Sequence, residues 1–396
     1  MVGVDKKRVH RACRVMQFLH PITWRHRWTR RPNAATTRTA RSVGSSVGGT
    51  FGSTVGRRSG TSVVGASGPF AATCDTPFYR LHAPAERMVL VLTLLSHGCP
   101  TQAIVAAFGL DERTVARWLA EAGQHCQRVH EHLVEQGQFD LQHVQADELW
   151  VKQVGGKVWM ALALAVPTRL WLGGVISRQR DLPLITRLVQ RVRACAATPA
   201  ILVCVDGLAS YVTAFWKVFR QPIRTGRRGR PRLVLPDGFQ FAQVVKHAAK
   251  RHVIGVTRRV VHGTLVGIEA VLTATATGTV INTAYIERLN ATFRAHLAPL
   301  TRRGRAIART EAALTAGMWL VGTAYNFCWP HDSLRRLASD HAPRKWLLRT
   351  PAMAAGLTDH SWTLDELLRF QVPLPRWIPP RRRGRPPKHP PLGAAA

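Results

Sequence analysis

The amino-acid sequence predicts an α/β protein in which a small all-helical domain precedes a mixed β-sheet flanked by helices. Residues 84–120 have the apolar spacing of amphipathic helices. Residues 144–176 contain strand-like segments separated by turn residues, and residues 181–219 follow the order helix, strand, helix. Because strands that alternate with helices are typical of α/β folds, we expect a sheet covered by helices. The length of 396 residues allows two or three domains.

The chain is strongly basic, with 56 Lys and Arg residues against 22 Asp and Glu residues and a formal net charge of +34. This charge predicts a polyanionic partner, first of all DNA or RNA, because each phosphate that meets a cation releases counterions. An anionic membrane surface is the second candidate. The alternative without a partner is an arginine content inflated by a GC-rich genome.

The sequence indicates neither a membrane span nor a secretory signal. No apolar run reaches the ~18 residues of a transmembrane helix, and the basic N-terminus lacks an apolar stretch followed by small residues. The seven cysteines include no CxxC pair, so we expect neither a disulfide framework nor a zinc knuckle. These features favour the reducing cytoplasm, with association to the nucleoid if the partner is DNA.

The first 75 residues differ in composition from the rest of the chain. Residues 30–68 are rich in Arg, Ser, Thr, Gly and Val without a helical or strand period, so we interpret residues 1–75 as a disordered basic arm. Such an arm could bind DNA nonspecifically. Alternatively, it is a disordered leader, or it arises from a misassigned start or a shifted frame.

Two short helices are predicted near the start of the ordered region. The first covers residues 102–108 with Thr101 as its N-cap, and Gly109 then supplies a tight turn. Asp111 caps the second, over residues 112–120. The arrangement resembles a helix-turn-helix, although an ordinary helical hairpin has the same pattern. In a helix-turn-helix, the side chains facing the DNA major groove would be those of Glu112, Arg113, Thr114 and Arg117.

Strand patterns begin after residue 142. Segments 144–151 and 157–165 are separated by two glycines, a hairpin signal, and segment 170–176 makes a third strand. A helix is predicted over 181–194, a buried strand over 200–205 and a helix over 208–219, and helical spacing returns over 282–297 and 310–328. Three strands, a helix, a strand and a helix begin a ribonuclease-H-like sheet, but other α/β folds share this order.

Three acids occupy positions suited to a metal site. Asp147 lies within the first predicted strand, Asp206 directly follows the strand over 200–205, and Glu287 lies on the helix over 282–297. Their surroundings are largely apolar, where an ionised carboxylate is costly unless it meets a cation. Oxygen ligands suit Mg²⁺ or Mn²⁺, and two such ions roughly 3.5–4 Å apart can bracket a phosphodiester. Taken singly, an aspartate after a strand is more often a helix cap or a turn residue.

Neighbouring residues refine the choice of acids. Glu148 follows Asp147 directly, and strand alternation turns the two side chains to opposite faces, so only one of them can face the other acids. Asn290 and Arg294 lie three and seven residues after Glu287 and share its helical face. Such a face suits contact with both a metal ion and DNA phosphate. The alternative is a solvated polar face.

The sequence from about residue 76 to 370 resembles bacterial insertion-sequence transposases of the DDE superfamily, nearest the insertion-sequence-one type. The matching stretches are the helix-turn-helix and the segments TPFYR (76–80), DELW (147–150), VDG (205–207), YIERLN (285–290) and YNFC (325–328). The resemblance implies a ribonuclease-H-like core that uses two Mg²⁺ or Mn²⁺ ions to cleave and join DNA strands at the ends of an insertion sequence. It also implies a homo-oligomer bound to double-stranded DNA.

By position, the residues that match the catalytic site of this family are Asp147, Asp206, Glu287, Asn290 and Arg294. The three acids match its metal-binding triad, and the other two match accessory positions of its third motif. The N-terminus departs from the family, whose members often carry a Cys-rich zinc-binding segment before TPFYR. Here only Cys13 and Cys74 precede it, so that segment is absent, degraded or out of frame.

Two RGRP motifs, at residues 228–231 and 383–386, resemble the core of an AT-hook, whose arginines enter a narrow A·T minor groove. The arginines concerned are Arg228, Arg230, Arg383 and Arg385. Such short matches arise easily in an arginine-rich chain, and the second motif has more flanking charge.

The expected organisation is the arm (1–75), a helix-turn-helix domain (76–138), a catalytic domain (139–335) with an Arg-rich insertion near 224–237, a helical extension (336–372) and a Pro/Arg-rich tail (373–396). Three functions stay open: an active transposase, a catalytically inactive DNA-binding protein derived from one, and a metal-dependent nuclease. The complete triad disfavours the second, and the helix-turn-helix disfavours the third.

Overall fold

A computed structural model of the protein describes residues 73–373 except 224–225, 227–228, 250–251, 302–303, 305 and 339–344. The basic arm up to residue 72, Arg228 of the first RGRP motif, and the second RGRP motif with Arg383 and Arg385 lie outside the described residues. Within the described part of the chain, no helix combines the length and the apolarity needed to cross a membrane.

Three helices open the described region: α1 (Ala85–Ser96), α2 (Thr101–Phe108) and α3 (Glu112–His130). Gly109 ends α2 in the left-handed conformation at φ 58°, as the turn requires. The backbone nitrogen of Arg113 donates to the Asp111 carboxylate at 2.7 Å, which confirms Asp111 as the cap of α3. The prediction for Thr101 is wrong, because Thr101 is the first helical residue and Pro100 occupies the N-cap.

Helix α3 continues ten residues beyond the predicted end at residue 120 and leads into a π-helical turn, Glu131–Glu135. Its second half buries Ala122, Cys126 and Val129, and the helix packs along the later helix α8 (Glu311–Phe327). The Cα of Gly123 lies so close to α8 that a Cβ there would come 2.5 Å from Ala316. The extension therefore depends on packing against a distant helix, which the local apolar pattern does not reveal.

The strands β1 (His143–Gln153), β2 (Gly156–Ala165) and β3 (Leu170–Ser177) form an antiparallel meander, as predicted. They are followed by α4 (Leu182–Cys195), β4 (Leu202–Asp206) and α5 (Ala209–Phe219). The side chain of Asp181 caps α4, and β4 pairs in parallel with β1. These elements confirm the predicted order of three strands, helix, strand, helix.

The region between α5 and the next predicted helix contains elements that the sequence patterns did not predict. A short hairpin, β5 (Gln221–Ile223) with β6 (Arg232–Val234), flanks the Arg-rich insertion, and β7 (Gln240–Ala249) and β8 (His252–His262) form a long hairpin. Helix α6 (Leu265–Ala274) follows. Strand β7 pairs in parallel with β4, so β7 and β8 extend the sheet.

Among the described residues, the main sheet has six strands in the order β3-β2-β1-β4-β7-β8. It is mixed, because β1, β4 and β7 run parallel while β2, β3 and β8 run antiparallel to their neighbours. Helices α4 and α5 pack on one face of the sheet. This architecture is compatible with a ribonuclease-H-like core, to which β8 adds an outer strand.

The C-terminal part contains α7 (Ala284–His296), α8, α9 (Pro351–Ala354) and α10 (Leu364–Arg369). Short 3₁₀ turns occur at Ala298–Leu300 and Asp332–Leu334. A two-residue hairpin, β9 (Arg336–Leu337) with β10 (Trp346–Leu347), precedes α9. The expected helical extension after residue 335 thus begins with a hairpin and contains only short helices.

One apolar cluster joins the N-terminal helices to the sheet. It includes Leu92 of α1, Trp118 of α3, Trp171 of β3 and Phe293 of α7, all buried. This cluster fills the face of the sheet opposite α4 and α5. It spans both sides of the boundary predicted near residue 138.

Candidate metal centre

The candidate metal centre lies at the carboxyl end of β4, beside the middle of β1, where the parallel pairing of the two strands ends. The last pair in their register joins Ala146 to Val205, so Asp147 and Asp206 are the next residues along the two strands. Neighbouring residues of a parallel pair face the same side of the sheet. The two side chains therefore lie side by side on the face where α7 packs.

Three carboxylates meet at this place. Within the described part of the chain, Asp147, Glu148 and Asp206 each bring an oxygen to within 4.8 Å of the other two, and this set could hold a metal ion. Carboxylate oxygens are the ligands that divalent cations such as Mg²⁺, Mn²⁺ and Ca²⁺ prefer.

Asn290 of α7 orients Asp147. Its Nδ2 donates to Asp147 Oδ2 at 2.8 Å, and the backbone nitrogen of Glu148 donates to Asp147 Oδ1 at 2.9 Å. Asn290 is 2% exposed, and no described residue donates a hydrogen bond to its Oδ1. A buried amide oxygen without a donor is unusual, so its presence beside three carboxylates is a second indication of a cation site.

Burial and the surrounding negative charge perturb the pKa of Asp147. Burial, and then the charges of Glu148, Asp206 and Glu287, raise the pKa of Asp147 to about 7. Each of these causes disfavours the charged form. A divalent cation would relieve this repulsion.

A buried glutamine holds α7 against the strand that carries Asp147. Gln145 is fully buried two residues before Asp147, and its Oε1 accepts from the backbone nitrogens of Tyr285 and Ile286 at 3.1 and 3.0 Å. Its Nε2 donates to the Asn282 carbonyl at 2.8 Å. These bonds satisfy free amides in the first turn of α7 and fix the position of the helix.

Glu148 lies on the opposite face of β1 from Asp147, as strand alternation predicts. Its side chain is only 1% exposed, and it accepts a hydrogen bond from the Tyr211 hydroxyl at 2.8 Å. Burial, and secondly the charge of Asp206, raise the pKa of Glu148. Although it faces the other side, its long side chain brings the carboxylate past the end of β4, where the site lies.

Arg180 connects the acids of the two faces. Its Nε donates to Glu148 Oε1 at 2.5 Å, and its Nη2 lies 3.3 Å from Asp206 Oδ2. The guanidinium carbon lies 5.1 Å from the ring centroid of Trp159, in a cation–π contact. Arg180 therefore bridges Glu148 and Asp206 at the edge of the sheet.

Asp206 also shapes the turn that leads into α5. Its Oδ1 accepts from the backbone nitrogen of Leu208 at 3.0 Å, so the turn role and a ligand role coexist in one side chain. Gln243 of β7 donates to the carbonyl oxygen of Asp206 at 2.9 Å. The backbone of Asp206 is thereby tied to β7.

Glu287 faces the cluster from the first turn of α7. Its Oε1 accepts from Lys246 Nζ at 2.5 Å and from Thr283 Oγ1 at 2.9 Å, and its side chain is 47% exposed. Its charge contributes to the raised pKa of Asp147, as the smallest of the causes. The structure thus brings Asp147 and Asp206 together with Glu148, while Glu287 pairs with a lysine.

The other predicted residues of α7 differ in their surroundings. Asn290 is buried in the site, so the alternative of a solvated polar face does not describe it. Arg294 is half-buried one turn further along the helix, and its carbonyl oxygen accepts from Thr301 Oγ1 at 3.3 Å.

The residues predicted to meet DNA lie elsewhere on the chain. On α3, Arg113 and Arg117 are exposed, while Glu112 and Thr114 are half-buried. Glu112 pairs with Arg309 at 2.9 Å, which links α3 to the segment before α8. Arg230 is exposed next to the β5–β6 hairpin.

Sequence reasoning missed the polar residues that support the acids, namely Gln145, Glu148, Arg180, Tyr211, Gln243 and Lys246. Glu148 had one signal, its position beside Asp147, and alternation set it aside. The others come from different elements and have no motif that joins them. Comparison of the sequence with models of known protein families and with curated proteins found no match in either case.

Proposed function

We propose that the protein is a DDE-type DNA transposase with a ribonuclease-H-like catalytic core. The observation that supports this best is the junction of Asp147 and Asp206 where the parallel pairing of β1 and β4 ends, with Asn290 of α7 bonded to Asp147. The formal net charge of +34 is consistent with a nucleic-acid substrate.

In this proposal Asp147 and Asp206 hold Mg²⁺ or Mn²⁺, and Glu287 completes the ligand set from α7. Two such ions, when bound, polarise the phosphodiester and stabilise the attacking and leaving oxygens. Asn290 keeps Asp147 in the ligand rotamer through its Nδ2 donor, and Gln145 keeps α7 at the distance this contact needs. Glu287 reaches the ligand set by leaving Lys246, an exposed partner whose loss is inexpensive.

DNA binding is assigned to the N-terminal helices. Helices α2 and α3, joined at Gly109, have the order and the cap of a helix-turn-helix, and α3 exposes Arg113 and Arg117. The first turn of such a helix reads base edges in the major groove. The assignment of these residues and of Arg230 to DNA, and a homo-oligomer that joins two element ends, are parts of the proposal.

A strand-transfer assay tests the proposal. The purified protein is incubated with Mg²⁺ and DNA carrying the inverted repeats that flank its own gene. We expect cleavage and joining by wild type, loss of both in Asp206→Ala with DNA binding retained, and wild-type activity in Asp237→Ala, a matched exposed acid outside the site.

The alternatives give different results in the same assay. Binding without cleavage by wild type would identify a catalytically inactive DNA-binding protein derived from a transposase. Cleavage without joining would identify a metal-dependent nuclease. Either result overturns the proposed function.

A further inference from the structure

The contacts of Arg180 are unequal in strength. Its partner Glu148 is almost fully buried and is held from the other side by the hydroxyl of Tyr211, itself buried. Its other partner, Asp206, has a 36% exposed side chain and lies further away, at 3.3 Å. Breaking a buried ion pair is strongly destabilising, whereas an exposed pair contributes little. The contact that gives way first is therefore the one to Asp206.

The position of Arg180 beside a proposed metal ligand makes the difference in strength between its two contacts functionally relevant. Asp206 is one of the proposed metal ligands, so a cation bound there competes with the guanidinium for the same oxygen. The Arg180 side chain is 36% exposed, and its contact with Trp159 holds the guanidinium plane at the edge of the site. A guanidinium released from Asp206 presents paired N–H donors, which fit phosphate oxygens.

We propose that Arg180 is an active-site cation that exchanges Asp206 for a DNA phosphate, with buried Glu148 as its fixed anchor. Without a metal ion, Arg180 neutralises Asp206. With Asp206 engaged by a cation, Arg180 stays bound to Glu148 and turns its free N–H groups to the phosphate. Glu148 is then a positioning residue that acts through Arg180. This inference rests on the proposed function, since it assumes a metal ion at Asp206 and DNA as the substrate.

Arg178 provides a matched control in the same segment. It is two residues from Arg180, its side chain is 78% exposed, and it pairs with Glu311. Its removal takes away the same charge without touching Asp206 or Glu148. An effect of general charge loss would therefore appear equally in Arg178→Gln and Arg180→Gln.

The first experiment measures Mn²⁺ binding to the full chain by titration without DNA. We expect Arg180→Gln to bind Mn²⁺ about fivefold more tightly than wild type, because the competing cation at Asp206 is gone. Arg178→Gln should match wild type. Weaker Mn²⁺ binding by Arg180→Gln, or equal affinity in both variants, would overturn the exchange. Arg180 would then only hold Glu148 and Asp206 in position.

The second experiment needs no metal. Affinity for a 30-base-pair duplex is measured in EDTA over a range of salt concentrations. The measurement is made at pH 8, above the pKa of Asp147, so that Asp147→Asn removes the same charge as Asp206→Asn. Asp206→Asn releases Arg180, so its log–log salt slope should be steeper by about 0.9 than that of Asp147→Asn, which leaves Arg180 paired. This increase in the salt slope should be absent from the double variants Asp206→Asn/Arg180→Gln and Asp206→Asn/Glu148→Gln.

Equal slopes for Asp206→Asn and Asp147→Asn would overturn the role of Arg180. A steeper slope that survives Glu148→Gln would overturn the anchor role of Glu148, provided that thermal unfolding shows the variant to be folded. If wild type binds no Mn²⁺ at all, the proposed function fails. The slopes in EDTA still decide whether Arg180 can reach a phosphate.

Discussion

The carboxyl group of Asp147 lies among three other acids and is partly shielded from water. Its pKa of about 7 stands well above its usual value near 3.8 because of burial and of the charges of Glu148, Asp206 and Glu287. A raised pKa means that the folded protein binds the proton more tightly than the unfolded chain does. Protonation of Asp147 therefore stabilises the folded protein below pH ~4, and this stabilisation is lost as the pH rises through about 7.

This linkage predicts that Asp147→Asn stabilises the metal-free protein at pH 8, since asparagine removes the buried charge and can still accept from Asn290. We expect a gain of roughly 2 kcal/mol at pH 8 and little change at pH 4, from ~1.4 kcal/mol per pKa unit reduced for partial exposure. Urea unfolding in EDTA measures it, with Asp237→Asn as the exposed control. Equal effects at both pH values would contradict the prediction.

At the scale of elements, helix α8 is held by close approach to its neighbours. Its residue Gly322 packs against Trp171 of β3, and a Cβ there would lie 2.2–2.5 Å from the indole ring. Trp171 cannot move away easily, because its ring also contacts the rings of His130, Phe293 and Trp319. Asn326, on the same helix, binds both the backbone nitrogen and the carbonyl of Trp171 at 2.9 Å.

We therefore predict that Gly322→Ala destabilises the protein by about 2–3 kcal/mol through overpacking. Gly255→Ala is the control, because the nearest atom to its Cβ, on His247, lies 4.0 Å away on an exposed strand. That variant should stay within ~0.5 kcal/mol of wild type. Denaturant unfolding compares the two, and equal losses would show that the approach of α8 to Trp171 is looser than the structure indicates.

At the scale of the whole molecule, the N-terminal helices and the sheet share one apolar cluster. Leu92 and Trp118 lie on one side of the predicted boundary near residue 138, and Met160 and Phe293 lie on the other. All four are buried. A hydrogen bond also joins α3 to the C-terminal helix α10, since His125 Nε2 lies 3.1 Å from the Leu367 carbonyl.

This shared cluster predicts that limited proteolysis of the native protein does not separate the helices from the sheet. Residues 136–138 are exposed, so a protease can cut the chain there, but the two pieces should stay together because they share the buried cluster. Size-exclusion chromatography of the cut protein, with mass spectrometry of each peak, gives the answer. A fragment that elutes alone and ends near residue 138 would show two independently folded domains.

The amino-acid sequence by itself determined the local elements and the position of the central acids. Apolar period and caps predicted the meander, α4, β4 and α5, and they put Asp206 at a strand end and Asn290 on the α7 helix. These features depend on residues a few positions apart, so a pattern in the sequence reveals them. The sequence did not predict the full length of α3, because packing against a distant helix stabilises it. It did not predict the β7–β8 hairpin either, because β8 and the second half of β7 are largely exposed.

The tertiary structure alone decided which side chains meet the acids. Arg180 reaches Glu148 and Asp206 from the segment before α4, and Lys246 reaches Glu287 from β7. Strand alternation separated Glu148 from Asp147 correctly. However, the neighbouring strand β4 ends beside them, so the long side chain of Glu148 reaches past that end and the two carboxylates come together. Such contacts depend on the register of strands and the placement of helices far apart in the chain, which local periodicity does not encode.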